Sequence, residues 1–546
     1  MKKIDVAFLV ALTLLFTVPT VAVVTRGFPA VFSFLAADAF YYLTIAANFH
    51  VHGIVSFDQV HPTNCFHPLW QAVVTVAAGI PGTQQQLVTR TFLLGLVTNG
   101  AALAVFWRAF RRLRLKFPMA LAVLPCGVFG LIAPSFHSLW AYTNGMETPV
   151  VLLGYACLSS VLLGLTSDAL RPRDAIAVGA ALTLLVLARL DSVIFLPALI
   201  VVGTLTAFAK KDARRLSGYL LAALIPSVVV TGYMWISWRY FGAALPVSGA
   251  VKTTFPHVNR SNLSLVWAVL TGVDVGPAAR EVWVPQLLVP LACSLLLLCY
   301  EAIRTRRGYT DEWSMLVRVS ALYVLLFHAY NLGFVSLNHQ GFWYFAVSMS
   351  VLYVAAVAIL ERHMGVGNGT LIRATNTVLL VVALGGTWHA ARLFAGGLKA
   401  YGWVADVQSH VFDARAQLGR DLEGTRPRVY AIDDGLFAFG TGLPTVNGMG
   451  LCVDVATYRS ARDGSLGQHL RDSGVTDVFV PRNYLQFLGP VAKGPTVRYG
   501  SLGPPSPDEV RRIQEDLRWL GPLRVERVAV PYVLLHLLDG PREPGR

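Results

Sequence analysis

The sequence has 546 residues, of which 55% are hydrophobic and only 14% are charged. In soluble proteins about a quarter of the residues are charged, so this composition argues against a soluble protein and indicates a membrane protein. The net charge of +14 would suit a nucleic-acid-binding protein. Most Lys and Arg residues lie between apolar stretches, however, where membrane orientation explains them. We therefore predict no nucleic-acid partner.

Apolar stretches of about 20 residues, long enough to cross the hydrocarbon core of a bilayer, recur up to residue 396. They predict a polytopic α-helical membrane protein with about eleven transmembrane helices. A shorter apolar segment, 68–80, is predicted to lie at the membrane interface with Trp70 among the lipid headgroups. The expected spans are 6–26, 88–108, 118–135, 148–166, 174–189, 192–209, 216–238, 283–303, 313–336, 342–361 and 372–394.

The distribution of basic residues indicates the orientation. The loops "MKK", "RAFRRLRLK", "RPRD", "KKDARR", "RTRR" and "ERH" fall on one side of the membrane, whereas residues 27–89 contain neither Lys nor Arg. The positive-inside rule makes the first side cytoplasmic. We expect a multi-pass protein of the bacterial plasma membrane with a cytoplasmic N-terminus and a first exterior loop at 27–87.

The character of the sequence changes after residue 396, because no further stretch is able to cross a membrane. The segments "RVYAID" and "VTDVFV" are typical of buried strands. A helix is predicted for "SPDEVRRIQEDLRWLG", where Ser506 and Glu509 form a capping box, and one or two helices for "ATYRSARDGSLGQHLRDSG". We expect two domains, a transmembrane domain at 1–396 and an extracytoplasmic α/β domain at 397–546.

The cysteines and histidines do not predict a metal site. No pair of the six cysteines has the spacing of metal ligands, and the histidines of the first loop match no compact zinc pattern. Cys65 and Cys452 both fall in exterior regions, where a disulfide between them is compatible with the sequence. His67 is expected to contact substrate or to hold the loop in place.

The exterior loops carry several ionisable side chains next to predicted spans. Asp38 either caps the helix predicted for "ADAFYYLTIAANF" or acts as a general base at the membrane surface. Each of the others could be a cap or a snorkelling side chain. Together they suit the transfer of a sugar from a lipid phosphate: cations hold the phosphate, aromatics stack on the sugar, and a carboxylate accepts the hydroxyl proton. These others are Glu147, Arg189, Asp191, Lys252 and His339.

The segment "ADAFYYLTIAANF…GIVSFD…HPTNCFHPLW" resembles the first exterior loop of bacterial glycosyltransferases of the GT-C superfamily. This group is similar to the protein O-mannosyltransferases and to the lipid A aminoarabinose transferase. "NGMET", "PVSGAVK" and "AIDDGLFAFGTGLPTVNGMGL" fit the same group. The resemblance implies a GT-C-like fold, a polyprenyl-phosphate sugar as donor, and inverting transfer to a protein, lipid or glycan acceptor.

The resemblance also implies roles for particular residues. The essential carboxylate of the family's first loop corresponds to Asp38. Many relatives have two adjacent acids there, whereas Ala37 precedes Asp38 here, which argues against a two-acid or metal-assisted reaction; no cofactor is expected. Lys252, His339 and Arg189 are candidates for binding the donor phosphate. The other candidate substrate-binding residues are His67, Tyr41, Asn64, Glu147 and Asp191.

Two alternatives to the glycosyltransferase remain open from the sequence. A transporter or flippase of lipid-linked sugars would place ionisable groups in the middle of its spans, whereas here these groups gather at one rim. A non-enzymatic envelope assembly factor would depend on residues 397–546 and would be insensitive to substitution of Asp38.

Overall fold

The computed structural model of the chain describes most of the apolar region and the central part of the C-terminal region. The described residues are 2–26, 28–124, 138–165, 170–211, 214–273, 284–309, 311–336, 343–364, 369–395, 416, 419, 420, 424, 427–431, 435–448, 451–481, 523–529 and 532–537. His339 and the helix expected at 506–521 lie outside them. So do residues 125–137, which include most of the third expected span.

Helices dominate the described residues. The helices are α1 (Lys3–Arg26), α2 (Ala39–His52), α3 (Pro68–Ala78), α4 (Gln84–Leu113), α5 (Ala120–Val123), α6 (Ser138–Thr143), α7 (Thr148–Leu162), α8 (Pro172–Ala188), α9 (Phe195–Ala209), α10 (Arg214–Phe241), α11 (Val247–Lys252), α12 (Arg260–Leu270), α13 (Val284–Arg306), α14 (Ser314–Phe334), α15 (Trp343–Met364), α16 (Gly369–Ala395), α17 (Leu436–Thr441), α18 (Val455–Arg462) and α19 (Leu466–Asp472). Two short 3₁₀ helices span Phe28–Phe34 and Leu190–Ile194, and five strands span β1 (Val429–Ala431), β2 (Thr445–Asn447), β3 (Asp477–Pro481), β4 (Leu523–Ala529) and β5 (Tyr532–Leu537).

The prediction of a polytopic α-helical membrane protein is confirmed. Eight helices of the described part are long and apolar enough to cross a membrane, and α3 and α7 are shorter apolar helices. The helix α4 packs against α7, α8 against α10, and α13 against α14, around one continuous apolar core. The total of eleven spans stays a prediction.

Local sequence explains where several of these helices begin and end. The helix α4 starts with a capping box, in which Thr83 Oγ1 accepts from the backbone N–H of Gln86 and the Gln86 side chain accepts from that of Thr83. Pro149 and Pro172 stand in the first turns of α7 and α8, where a missing N–H breaks no helical hydrogen bond. Gly53 ends α2 in the left-handed conformation, with φ of 73°.

The prediction that Trp70 lies among the lipid headgroups is wrong. Trp70 is fully buried, and its indole N–H donates to the carbonyl of Gly145 at 2.9 Å. The helix α3 packs against α2 and α8, so its aromatic side chain finds a hydrogen-bond acceptor inside the protein and needs no interfacial water. Trp70 thus attaches α3 to the loop that precedes α7.

The C-terminal region contains a five-stranded mixed sheet with the strand order β2-β1-β3-β5-β4. The strand β1 pairs in parallel with β2 and β3, whereas β5 pairs antiparallel with β3 and β4. The strands expected for "RVYAID" and "VTDVFV" are β1 and β3, and "ATYRSARDGSLGQHLRDSG" forms the pair α18 and α19. These predictions are confirmed; the domain boundary at 396 and 397 stays a prediction.

The first loop and the C-terminal region are joined covalently. Cys65 and Cys452 form a disulfide, as the sequence allowed, and their Cα atoms are 4.9 Å apart, within the range that such a bond requires. Next to it, the Thr63 hydroxyl donates to the carbonyl of Val453 at 2.9 Å. The disulfide therefore holds the start of α18 against the first loop.

A second attachment between the two regions is ionic. Asp58 accepts from the His61 imidazole at 2.8 Å and from the Arg428 guanidinium at 2.5 Å. Burial alone would raise the pKa of Asp58, but hydrogen bonds from His61 and from the Val60 backbone, together with the Arg428 charge, lower that pKa to about 2. Hydrogen bonding to Asp58 outweighs burial and raises the pKa of His61. The geometry thus favours the charged forms of both side chains.

The cluster of Asp58, His61 and Arg428 forms a junction between the first loop and the C-terminal region. It predicts that the stability of this junction has a pH optimum. Because folding lowers the pKa of Asp58, this carboxylate stabilises the folded protein fully above its unfolded-state pKa of about 3.9. That stabilisation is lost as pH falls through the folded-state pKa of about 2. Because folding raises the pKa of His61, the imidazolium stabilises the folded protein fully below about pH 6.5. That stabilisation is lost as pH rises through the folded-state pKa of His61. Thermal unfolding in detergent should therefore show a stability maximum between about pH 4 and 6.5. The variant His61→Gln should remove the decline on the alkaline side; an unchanged decline would contradict the assignment.

Candidate active site

A pocket of about 420 Å³ lies where the first loop meets α11 and α15. This volume includes space open to solvent. Its walls combine acids, a lysine and aromatic rings with apolar side chains. The lining residues are Asp38, Tyr41, Tyr42, Cys65, Phe66, His67, Met146, Glu147, Ser248, Lys252, Tyr344 and Leu451.

Asp38 stands immediately before α2 and presents its carboxylate to this pocket. It has helical backbone angles and its side chain makes no capping hydrogen bond, so the interpretation of Asp38 as a helix cap is wrong. Its carboxylate oxygen lies 3.9 Å from the Lys252 amine, and 22% of its side chain is exposed. The carboxylate is therefore accessible in the pocket and is not used to cap α2.

Lys252 ends the short helix α11 and points at Tyr344. Its amine donates to the Tyr344 hydroxyl at 2.5 Å and lies 5.0 Å from the centre of the Tyr344 ring. Burial alone would lower the pKa of Lys252, but Tyr344 and Asp38 raise it. Because the raised pKa keeps the amine protonated at neutral pH, Lys252 is a permanent cation in the wall of the pocket.

Behind this pair lies a more deeply buried group around Glu147. Its carboxylate accepts from the Tyr42 hydroxyl at 3.1 Å and lies 3.8 Å from Arg189 Nε. Arg189 also donates to Asp191 at 2.9 Å and is almost fully buried. Burial of a charge without a partner is strongly unfavourable, so Glu147 and Arg189 stabilise each other at this depth.

His67, in the first loop, lies next to the same buried group. Its Nδ1 accepts from the backbone N–H of Leu190 at 3.4 Å, and its Nε2 lies 3.7 Å from Glu147. Burial is the largest influence and lowers the pKa of His67. A neutral imidazole with its proton on Nε2 satisfies both contacts, and it lets His67 hold the loop and line the pocket, as the sequence suggested.

Tyr344 connects the two cations, and the sequence did not assign it a role. The Arg189 guanidinium lies 4.5 Å from the centre of the Tyr344 ring and donates a hydrogen bond to the Tyr344 backbone carbonyl at 3.2 Å. The Lys252 amine contacts the same ring from the pocket. Aromatic rings attract cations in this way. Tyr344 therefore positions both cations. Tyr42, which the sequence also left unassigned, contacts Glu147. In the sequence, both tyrosines could have been found only by their position near predicted site residues. Tyr42 follows Tyr41, and Tyr344 lies in "NHQGFWYF" with His339.

Asn64 does not line the pocket, so its expected substrate contact is not found. Its amide is buried and donates to the Ser237 hydroxyl and to the carbonyls of Ala243 and Leu245. Its side-chain oxygen accepts from the Val247 backbone at 3.2 Å. An asparagine satisfies several backbone groups at once, and here it fixes the start of α11, which ends at Lys252. Asn64 is thus a positioning residue.

The other predicted residues divide between the pocket and its support. Tyr41 lines the pocket, with its ring 5.6 Å from that of Phe57. Arg189 is not in the lining but contacts two lining residues, Glu147 and Tyr344. Asp191 is also outside the lining and contacts Arg189. The structure thus brings eight of the nine predicted residues into or next to one site, and His339 lies outside the described residues.

One group of side chains in the described part has the spacing of metal ligands. Ligand atoms of Asp58, His61 and Asp454 lie within 4.8 Å of one another, in the junction rather than in the lining of the Asp38 pocket. Arg428 contacts the same Asp58 and His61 atoms, so a guanidinium already supplies positive charge there. This donor set does not favour a divalent metal.

The arrangement of the whole chain is shared with known structures. The crystal structure of ArnT from Cupriavidus metallidurans bound to undecaprenyl phosphate aligns with a TM-score of 0.56 and 14% sequence identity, over 95% of this chain and 97% of ArnT. The apo structure of the same protein aligns with a TM-score of 0.51 and 15% identity, over 93% and 95% of the chains. The chain has the ArnT fold. No protein-family model matches the sequence, and no curated protein matches it either.

A third likeness is weaker. The oligosaccharyltransferase of Archaeoglobus fulgidus in complex with Zn and sulfate aligns with a TM-score of 0.48 and 12% identity, over 89% of this chain and 68% of that one. This likeness is too distant to argue from. The GT-C-like fold that the resemblance implied is nevertheless confirmed by the alignment with ArnT, which extends over almost the full length of both chains.

Proposed function

We propose that the protein is an integral membrane glycosyltransferase that moves a sugar from a polyprenyl-phosphate donor to an acceptor hydroxyl on the extracytoplasmic side. The observation that carries this proposal is the pairing of Asp38 with Lys252, 3.9 Å apart in a pocket of about 420 Å³. The pair offers a base and a phosphate-binding cation in the same pocket. The ArnT fold supports the class of donor, because ArnT was crystallised with undecaprenyl phosphate.

In the proposed reaction, Asp38 accepts the proton of the acceptor hydroxyl while the hydroxyl oxygen attacks the anomeric carbon. The new carbon–oxygen bond forms as the bond from that carbon to the donor phosphate breaks, and the electron pair leaves on polyprenyl phosphate. Lys252 stabilises the negative charge on this leaving group. Attack from the face opposite the phosphate inverts the anomeric configuration.

The buried group behind the pocket has a supporting role in this proposal. Arg189 is neutralised by Glu147 and Asp191, so its main effect on a bound phosphate comes through Tyr344, which it holds in place under Lys252. Positioning of this kind matters because small displacements of a catalytic group reduce the rate strongly. Lys252 is therefore the principal phosphate-binding residue, and Arg189 a positioning residue.

Two independent features support an extracytoplasmic site. The first loop has neither Lys nor Arg, which favours the exterior, and it carries the Cys65–Cys452 disulfide next to the pocket. Disulfides form and persist in oxidising compartments and are rare in the cytosol. Both features support an extracytoplasmic position for the end of the helical bundle that holds Asp38.

The disulfide also supplies a test of this orientation. Whole cells are quenched with acid to preserve their thiol state, and the denatured protein is then treated with maleimide-polyethylene glycol. Cys65 and Cys452 should stay unlabelled until a reductant is added. The free residues Cys157, Cys293 and Cys299 are the internal control, because they should react without reduction. Labelling of Cys65 and Cys452 in unreduced samples would contradict an extracytoplasmic pocket.

The activity itself is tested with purified protein in lipid nanodiscs. Membranes of cells that lack the protein supply the acceptor, and mass spectrometry of their envelope glycans and lipids identifies the missing product. On mixing donor and acceptor, the proposal predicts stoichiometric release of free polyprenyl phosphate with the new glycoside. Movement of intact donor across the bilayer without release would instead identify a flippase.

A further inference from the structure

Leu451 brings the C-terminal region into the pocket. It lies far from Asp38 in the sequence, yet both side chains line the same space. Leu451 packs on a small apolar cluster that includes Tyr41, Cys452 and Phe57, with Phe66 beside it. One wall of the pocket is therefore formed by a segment outside the helical bundle.

This wall is attached at several points. The Leu451 backbone N–H donates to the Asn447 side chain at 3.2 Å, and Asn447 is the last residue of β2. The next residue, Cys452, is bonded to Cys65, and the carbonyl of Val453 accepts from Thr63 at 2.9 Å. With a sheet on one side and a covalent bond on the other, Leu451 forms a fixed boundary.

The position of Leu451 would bring it into contact with the acceptor rather than with the donor phosphate. The cation of the pocket comes from α11 and is held by Tyr344 of α15, on the side of the membrane-spanning helices. The cluster under Leu451 instead includes Tyr41, which is in the first turn of α2, next to Asp38. An acceptor hydroxyl that reaches Asp38 therefore brings its neighbouring atoms against Leu451.

We infer that Leu451 determines acceptor specificity, and that Cys65 and Cys452 are positioning residues for it; this inference rests on the proposed glycosyl transfer. The wall that Leu451 forms with Phe66, both packed on the same apolar cluster, offers no group to pair with a charge, and an unpaired charge is costly to bury. The acceptor hydroxyl is thus borne by an uncharged group with an apolar face, and its size is limited by the side chain at position 451.

The test uses full-length protein and separates acceptor from donor. Leu451→Trp narrows the pocket, and Leu270→Trp is the matched control, because Leu270 is 65% exposed and does not line the pocket. In cells that lack the native protein, Leu451→Trp should lower the amount of glycosylated product, measured by mass spectrometry, about tenfold or more. Its affinity for undecaprenyl phosphate, measured with purified protein in nanodiscs, should stay within about twofold of the wild type. The control Leu270→Trp should resemble the wild type in both measurements.

Folding of the variant is checked by the Cys65–Cys452 bond, which should still resist maleimide-polyethylene glycol before reduction. The double variant Cys65→Ser/Cys452→Ser should lose product in the same way as Leu451→Trp and also retain undecaprenyl phosphate affinity. Wild-type product formation by Leu451→Trp, or an equal loss of undecaprenyl phosphate affinity, would overturn the inference. The wild type measured alongside distinguishes the two proposals: if it forms no product, glycosyl transfer itself is refuted.

Discussion

Asp38→Asn is expected to lower the rate of sugar transfer by about 10²–10⁴-fold, the usual contribution of a general base. The amide is nearly the same size as the carboxylate but accepts no proton from the acceptor hydroxyl. Because Asp38 makes no capping hydrogen bond and its side chain is 22% exposed, the variant should fold normally. The measurement is release of polyprenyl phosphate in nanodiscs with donor and acceptor at saturation.

The matched control is Asp174→Asn. Asp174 is also an acid at the beginning of a helix, in the first turn of α8, but it is not among the residues that line the pocket. Transfer by this control should equal that of the wild type. Wild-type turnover by Asp38→Asn, with thermal stability unchanged, would show that Asp38 is not the base.

Lys252→Met is expected to weaken binding of undecaprenyl phosphate by about 10- to 100-fold, because it removes a charge-assisted hydrogen bond to the phosphate. Methionine preserves most of the length of the side chain and its contact with the Tyr344 ring. The affinity can be measured from the change in tryptophan fluorescence on titration into nanodiscs. Loss of the cation should also reduce the salt dependence of binding.

Two further variants sharpen this prediction. Lys210→Met removes a lysine at the end of α9, on the predicted cytoplasmic side, and should leave the affinity unchanged. Tyr344→Phe removes only the hydroxyl that accepts from Lys252, so its effect should be smaller than that of Lys252→Met. Equal affinities for Lys252→Met and the wild type would mean that the phosphate binds elsewhere.

The membrane-spanning architecture could be predicted because each apolar stretch indicates its own helix, without reference to the others. Candidate residues were equally visible, since Asp38, Glu147 and Lys252 are charged side chains at the edges of apolar segments. What could not be predicted is which of them meet. The pairs Asp38–Lys252 and Glu147–Arg189 join segments far apart in the sequence, and only the packing of α2, α7, α8 and α11 brings them together.

Errors arose where a local pattern had more than one structural explanation. Trp70 fits an interfacial anchor as well as a buried hydrogen-bond donor, and only its contact with Gly145 distinguishes the two. Asn64 lies in the most specific motif of the sequence, yet it serves the backbone before α11. A motif thus marked the right region without separating the residues that contact substrate from those that hold the contacting residues.

A second ionic network was not predicted at all. Glu301 and Asp311 pair with Arg362, and Arg304 pairs with Asp311 at 2.9 Å. These residues lie at the ends of α13, α14 and α15 that bear the basic loops, at the opposite rim from Asp38 by the predicted orientation. From the sequence their positive charges indicated only orientation; the acids that neutralise them are visible only in three dimensions.

In the proposed reaction, Asp38 and Lys252 face the phosphate of a lipid-borne sugar on the extracytoplasmic rim. A cryo-EM map of the protein in nanodiscs with undecaprenyl phosphate tests it most directly. We expect headgroup density within hydrogen-bonding distance of the Lys252 amine, in the pocket that Asp38 lines. A headgroup bound at the rim of Glu301 and Arg362, with the Asp38 pocket empty, would contradict it.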